Sequence, residues 1–378
     1  MAATAPETGN LEDTVIFEHL MRPGPAVDDI PSGQREQIAA ALLPVPTHLH
    51  ALLPLLTDTH NHMAGFGPAQ RQTFNEELSR IKAGQGDLGA REYCVVTVEP
   101  RDWSTCSSAA WSRLGKEDQV HVRPLFGIHP QCVAGIDIDA SLWQRRLREH
   151  LDTCPWSFVG EIGLDRNKWH KPSFDDGRQT SVFQHHMTIA AELRRPVSVH
   201  CVKADGAMVQ VLQNLAKGEA RTVAADGGGG GSGSTDSAQE PLPQIPPAVC
   251  MHSFSGSLDS ARMIIRALES KEANRGKKRK DRPCRVYFSF NAWTNLFKAD
   301  IGKLVRGLVD DGGECRLLLE SDWNSENFNF PGASWSDVDK ILLWGVSKLA
   351  EILDWEPKRV AELLRDNTGI FLASITGD

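Results

Sequence analysis

Residues 57–62 read "TDTHNH", an acid and two imidazoles at every second position after the apolar run "ALLPLL". Successive strand side chains alternate between faces, so a strand here points Asp58, His60 and His62 the same way. Imidazole nitrogens and carboxylate oxygens gathered on one face are donors for a divalent metal ion. The same residues in a surface loop would be ordinary polar groups. What decides between these readings is whether other ligand-type residues share the place. His129 in "GIHP", Glu161 in "GEIGLD", His200 in "PVSVH", His252 in "MHSFSG" and Asp322 in "ESD" each stand in or at the end of a strand-like run. Singly, each has a plain explanation: a strand-end His satisfying a backbone group, a Glu between glycines in a turn, an Asp capping a helix. Thirteen histidines scattered at random would not fall at one end of successive strands. His60, His62, His200 and His252, with Glu161 and Asp322, make a mixed nitrogen and oxygen set suited to two divalent ions such as Zn, Mn or Mg. The adjacent His185 and His186 lie on a helical pattern facing outward and read as structural.

The elements that must position these residues are short strands alternating with helices. The strand-like runs are 51–58, 93–98, 123–128, 157–163, 196–200, 248–253, 286–291 and 315–321. Between several of them apolar residues recur at three- and four-residue steps, as in "RQTSVFQHHMTIAAELRR", "SLDSARMIIRALES" and "SWSDVDKILLWGVSKLAEIL". Eight strands alternating with helices predict an α/β protein, a parallel (β/α)8 TIM barrel, with the β2–β3 connection the least helical; the joint pattern of ligand-type residues makes it one of the metal-dependent hydrolase type. Chemistry in such barrels gathers at the C-terminal ends of the strands, where the candidate residues stand.

Composition sets bounds. The chain has 378 residues, 40% hydrophobic and 24% charged, as in an ordinary globular protein. A net charge of -8 signals no broad basic surface for duplex DNA. Eight cysteines, none in a C-x-x-C pair, suit reduced thiols and a cytoplasmic or nuclear protein. No apolar stretch is long enough to span a membrane, and the start lacks the order of a signal peptide. Residues 1–50 read as a partly disordered extension, and 51–378 as the barrel. Two segments read as inserts: a low-complexity linker at 224–247 and a charged loop at 270–283 with Lys277, Lys278, Arg279 and Lys280. That basic run is a solvated loop, or a nuclear import signal or phosphate-contacting patch.

Taken together, "TDTHNH", "GIHP", "GEIGLD", "PVSVH", "MHSFSG", "ESD" and the terminal "NTGIF" resemble, in order, the motifs of the TatD family of metal-dependent deoxyribonucleases, in an insert-bearing eukaryotic or fungal type. The resemblance implies one ion on His60, His62 and Asp322, a second on His200 and His252, and Glu161 bridging both. It also implies DNA, single-stranded or at 3′ ends, as substrate of a 3′-exonuclease or phosphodiesterase that uses a two-metal-activated water. Asp322 would orient the water and take its proton. His129 would hydrogen-bond the scissile phosphate, and Lys203 would offset its charge. Trp323 and Trp293 would stack on bases, although core packing is the commoner role among ten tryptophans. Several family positions differ: Met63-Ala64 follows the first motif where Leu-Asp is common, Gln131 replaces the second His of "GxHPH", Val202-Lys203 replaces Arg-Asp, and "SDWN" replaces "TDSP". The metal shell is intact, and the departures fall on the substrate side. Two other readings stay open: a hydrolase of small esters or amides on the same barrel, and an interaction protein contacting a partner through its tail or inserts. A monomer is expected.

Overall fold

The computed structural model describes residues 45–63, 76, 79, 89–107, 121–136, 141–168, 170–218, 245–270, 284–292, 295–296, 298–323 and 335–374. Eight strands follow one another: β1 (Thr57–Asn61), β2 (Glu92–Val96), β3 (His121–Phe126), β4 (Phe158–Asp165), β5 (Val197–Val202), β6 (Ala248–Met251), β7 (Arg285–Phe290) and β8 (Leu317–Leu319). Each pairs in parallel with the next, in the order β1 to β8. Three hydrogen bonds bring the two ends of the sheet together: Thr59 Oγ1 to Leu319 O at 2.9 Å, His62 N to Trp323 O at 2.8 Å and Asp322 N to His60 O at 2.9 Å. The result is the (β/α)8 barrel that the alternation predicts. Its outer helices are α1 (Pro100–Ser107), α2 (Ser141–Thr153), α3 (Arg178–Glu192), α4 (Asp205–Lys217), α5 (Leu258–Glu269), α6 (Ile301–Leu308), α7 (Trp335–Leu353) and α8 (Pro357–Ala373). At the start of α5 the Ser257 hydroxyl caps the helix, accepting from Ser260 N at 3.0 Å.

Both faces of the strands are buried, which is why they read as continuous apolar runs. One row of alternate residues, including Cys94, Val96, Leu125, Phe158, Cys250, Tyr287 and Leu318, packs inside the barrel. Their neighbours Tyr93, Val95, Phe126, Val159, Val249, Phe288 and Leu319 pack outward in the larger core beneath the helices. Phe371 of α8 completes the interior cluster, meeting Phe158 and Tyr287 edge-on at ring distances of 5.5 and 5.2 Å. The Asn367 amide anchors that helix by donating to the carbonyls of Glu314 at 2.8 Å and Leu317 at 2.9 Å. The "NTGIF" stretch therefore plugs the barrel floor. Along the same inward rows the chemistry changes with height: β6 leads from Ala248 and Cys250 to His252, β7 from Tyr287 through Ser289 to Asn291, and β8 from Leu318 through Glu320 to Asp322.

Two expectations are corrected. The run "ALLPLL" is not the body of β1. Thr47–Leu55 is a 3-10 helix with Leu49, Leu52 and Leu53 buried, packed on α7 and α8, and β1 begins only at Thr57. Pro54 within the run cannot donate to a ladder, and a short apolar run buried on several sides has no period that separates strand from helix. β8 is likewise shorter than expected, because 314–316 coil into a 3-10 turn. The β2–β3 connection carries the eight-residue α1 among its described residues. Residues 1–44, the 224–244 part of the linker, the basic run 277–280 and Trp293 lie outside the described residues.

Candidate metal centre

The C-terminal ends of β1, β4, β5, β6 and β8 bring their polar side chains to one point. His60 and His62 face each other with Nε2 atoms 3.4 Å apart. Glu161 stands between two sets of imidazoles. Its Oε2 lies 3.4 Å from Nε2 of both His60 and His62, and its Oε1 lies 2.7 Å from His200 Nδ1, 2.7 Å from His252 Nε2 and 3.2 Å from His129 Nε2. Asp322 Oδ1 lies 3.7 Å from His62 Nε2. Glu161 reaches this position where the register of β4 against β5 shifts between Val159 and Ile162. Gly163, next along, has φ +151, and a Cβ there would sit 2.0 Å from the His200 carbonyl oxygen, so the close approach of β4 to β5 requires glycine. Lys203, Ser253 and Asp322 each hold a left-handed backbone, with φ of 54, 46 and 49. Such strain just beyond β5, β6 and β8 is a common mark of a functional site.

Asp58, the acid of the opening hexapeptide, does not join these groups. Its Oδ1 accepts from Ser321 N at 2.8 Å, and its Oδ2 accepts from Ser321 Oγ at 2.6 Å and Asn61 Nδ2 at 3.0 Å, tying β1 to β8. Burial pushes its carboxyl up to about 7. Trp323 is 1% exposed and packs in the main core, so no ring face is open to a base and the stacking role expected of it is replaced by packing. Lys203 is exposed directly after β5.

Among the described residues, four triads bring ligand atoms within 4.8 Å of one another: His60, His62 and Asp322; His60, Glu161 and His252; His129, Glu161 and His200; His252, Glu320 and Asp322. Hydrogen bonding separates them. His129 Nδ1 accepts from Gln131 N at 3.2 Å, so its hydrogen sits on Nε2, which is then a donor toward Glu161 and a poor ligand. Glu320 accepts from Ser253 N at 2.7 Å, Asn291 Nδ2 at 3.2 Å and the Ser289 hydroxyl, which occupies most of its lone pairs. With these two set aside, the open donors are His60, His62, His200, His252, Glu161 and Asp322.

These donors fit divalent cations better than they fit one another. His200 Nδ1 and His252 Nε2 meet at 3.3 Å, as His60 and His62 do at 3.4 Å, and two imidazole nitrogens in contact need a proton or a cation between them. Glu161 Oε2 is buried without a hydrogen bond. Glu161, Asp165, Glu320 and Asp322 crowd together, and among the described residues their ion-pair partners are all histidines. The protein groups alone compensate only by shifting protons. Burial depresses His60 and His129 to about 4. Burial also opposes charge on His200, yet Asp165 and Glu161 hold it up at about 9. Burial raises Asp322 to about 6, with His252 opposing and Glu320 adding to the rise. Glu161 stays well below the usual carboxylate range because His129, His252 and His60 outweigh its burial.

Three further residues contact the outer edges of these histidines, and the sequence reading passed over them. Ser198 Oγ lies 3.0 Å from His60 Nδ1, Glu320 Oε1 lies 3.4 Å from His252 Nδ1, and Asp165 Oδ2 lies 3.7 Å from His200 Nε2. The signal was the strand period: Ser198 is two before His200, Glu320 two before Asp322, and Asp165 four after Glu161.

The family model described as "TatD related DNase" matches residues 57–372. "Cut9-interacting protein scn1" of Schizosaccharomyces pombe is 24% identical over 249 residues, 60% of this chain and 65% of that protein. "3'-5' RNA nuclease TATDN2" of Homo sapiens is 23% identical over 158 residues, 42% of this chain and 20% of that protein. The chain thus matches less than two thirds of the length of either. The crystal structure of the TatD homolog YJJV from Escherichia coli K12 superposes with a TM-score of 0.55 at 18% identity, covering 84% of this chain and 97% of that one, and so shares the fold. The family match runs from the first strand to the helix that plugs the floor and contains every converging side chain; the chain belongs to the TatD related DNase family, metal-dependent hydrolases on this barrel.

Proposed function

We propose that this protein hydrolyses phosphodiester bonds in DNA, single-stranded or at 3′ ends, with two divalent ions of Zn, Mn or Mg. His60, His62 and Asp322 hold one ion, His200 and His252 the other, and Glu161 is shared. The observation that carries this reading is that the two oxygens of Glu161 face different histidine pairs. Bound there, the ions supply Lewis acidity and make a water acidic enough to attack near neutral pH. Asp322 is the carboxylate placed to move a proton: its side chain is 17% exposed, whereas that of Glu161 is 1% exposed. It orients the attacking water and accepts its proton. His129, neutral and with its one hydrogen on Nε2, faces Glu161 Oε1 and would turn that hydrogen to the scissile phosphate when substrate binds. Lys203 at the rim offsets phosphate charge. Eight cysteines without a disulfide among the described residues support a reducing compartment, cytoplasm or nucleus, and no described helix is long and apolar enough to cross a membrane.

The test is a metal-loaded preparation offered end-labelled single-stranded DNA, RNA of the same sequence and a panel of small esters and amides. Metal-dependent shortening of the DNA from its 3′ end supports the reading. Turnover of the small esters alone transfers the same centre to a small-molecule hydrolase. A second reading is a scaffold, favoured by the Schizosaccharomyces pombe relative, which is described as interacting with Cut9. Bound metal with no hydrolysis of any of these substrates would select it.

A further inference from the structure

Two ring nitrogens at the centre are buried without a hydrogen bond, His252 Nδ1 and His200 Nε2. Each belongs to a histidine whose other nitrogen meets Glu161 Oε1 at 2.7 Å. Each also faces a carboxylate: Glu320 Oε1 at 3.4 Å from His252, and Asp165 Oδ2 at 3.7 Å from His200. Those carboxylates are 0% and 1% exposed, and a buried carboxylate is costly unless its surroundings hold it. Ser253 N, Asn291 Nδ2 and the Ser289 hydroxyl hold Glu320, while Asn167 N at 2.7 Å and Gln131 Nε2 at 3.4 Å hold Asp165. Gln131, where the family commonly has a second His, thus reaches Asp165.

We infer that Glu320 and Asp165 are positioning residues that take the N–H of the outer nitrogen of His252 and His200, leaving the inner lone pairs for a divalent ion. The inference rests on the metal-centre reading above. The two histidines face inward through opposite atoms, His252 through Nε2 and His200 through Nδ1. A neutral imidazole carries one hydrogen, and the partner of one nitrogen sets which nitrogen carries it. The pair therefore requires two different tautomers at once, Nδ1–H on His252 and Nε2–H on His200. An acceptor on the outer side of each ring enforces both, as outer carboxylates do for metal-bound histidines generally. His60 follows the same scheme with a weaker partner, the Ser198 hydroxyl at 3.0 Å from its Nδ1.

The experiment uses the full chain, nitrogen-15 labelled in its histidines and loaded with Zn2+. Long-range proton–nitrogen spectra report each tautomer, and competition with a chelator reports Zn2+ affinity. The native protein should show Nδ1–H on His252 and Nε2–H on His200. Glu320→Gln should keep the melting temperature near native, lose the single His252 tautomer and weaken Zn2+ binding by about 10–100-fold. Asp165→Asn should do the same at His200. Folded variants with native affinity and unchanged tautomers would overturn the inference. If a variant does not fold, the native spectrum decides, and Nε2–H on His252 overturns it. A native protein that takes up no Zn2+, Mn2+ or Mg2+ would instead sink the metal-centre reading itself.

Discussion

The floor and the mouth of this barrel are made by the same strands at the same period, with opposite chemistry. At the floor the inward residues Cys94, Leu125, Phe158, Tyr287 and Leu318 close on Phe371 without a charged group among them. Toward the other end of the barrel, Glu161 three residues after Phe158, Glu320 and Asp322 two and four after Leu318, and His200 and His252 at the ends of β5 and β6 place buried nitrogens and carboxylates against one another. The floor gains by excluding water from apolar area, and its packing carries stability. The mouth holds groups whose burial is unfavourable unless a proton or cation compensates them. A barrel therefore separates stability from chemistry along the strand axis, and a substitution should affect one end with little effect on the other.

The sharpest break concerns the shared carboxylate. Glu161→Gln should lower the occupancy of both ions together and abolish hydrolysis, while the melting temperature without metal stays near native. Metal analysis that finds one ion retained at full occupancy would show that Glu161 does not bridge. At the floor, Phe371→Ala leaves a cavity against Phe158 and Tyr287 and should cost about 3–5 kcal/mol in denaturant unfolding, with the metal content of the folded fraction unchanged. A variant that loses metal before it loses structure would show that floor and mouth are coupled. Asp322→Asn should slow hydrolysis roughly 100-fold, as loss of a general base does, with the fold intact and at least part of the metal bound. Near-native rates with metal bound would remove Asp322 from the reaction.

The smallest effect is a pH dependence. His200 has a raised pKa of about 9, so below that pH it keeps a proton that an ion must displace. Glu161 and Glu320 also hold His252 well above the usual imidazole range, so apparent metal affinity should fall by at least about tenfold for each unit the pH drops below 9. Chelator competition at pH 9, 8 and 7 measures this, and a flat response would mean that no proton leaves His200 on binding.

Much of the site was legible from residue type and strand period. His60, His62, Glu161, His200, His252 and Asp322 stood at the ends of successive apolar runs, and a parallel barrel gathers such ends. The expectation about "ALLPLL" failed because an apolar run buried on all sides carries no period, and Pro54 admits a 3-10 turn as readily as a strand edge. Trp323 does not stack on a base, as a single-strand binder's aromatic would. The left-handed backbone at Asp322 and the bond from His62 N to the Trp323 carbonyl instead fold it into the core.

The sequence by itself determined the alternation of strands and helices, the side of the barrel on which the chemistry lies, and the donor types available, because these depend on local periodicity and residue chemistry. Only the tertiary structure decided which donors converge. The division of Glu161 between two histidine pairs, the diversion of Asp58 to Ser321, and the contacts of Glu320 with His252 and Asp165 with His200 join residues on different strands. Their distances follow from barrel closure and from the register shift in β4, which no local pattern of side chains encodes.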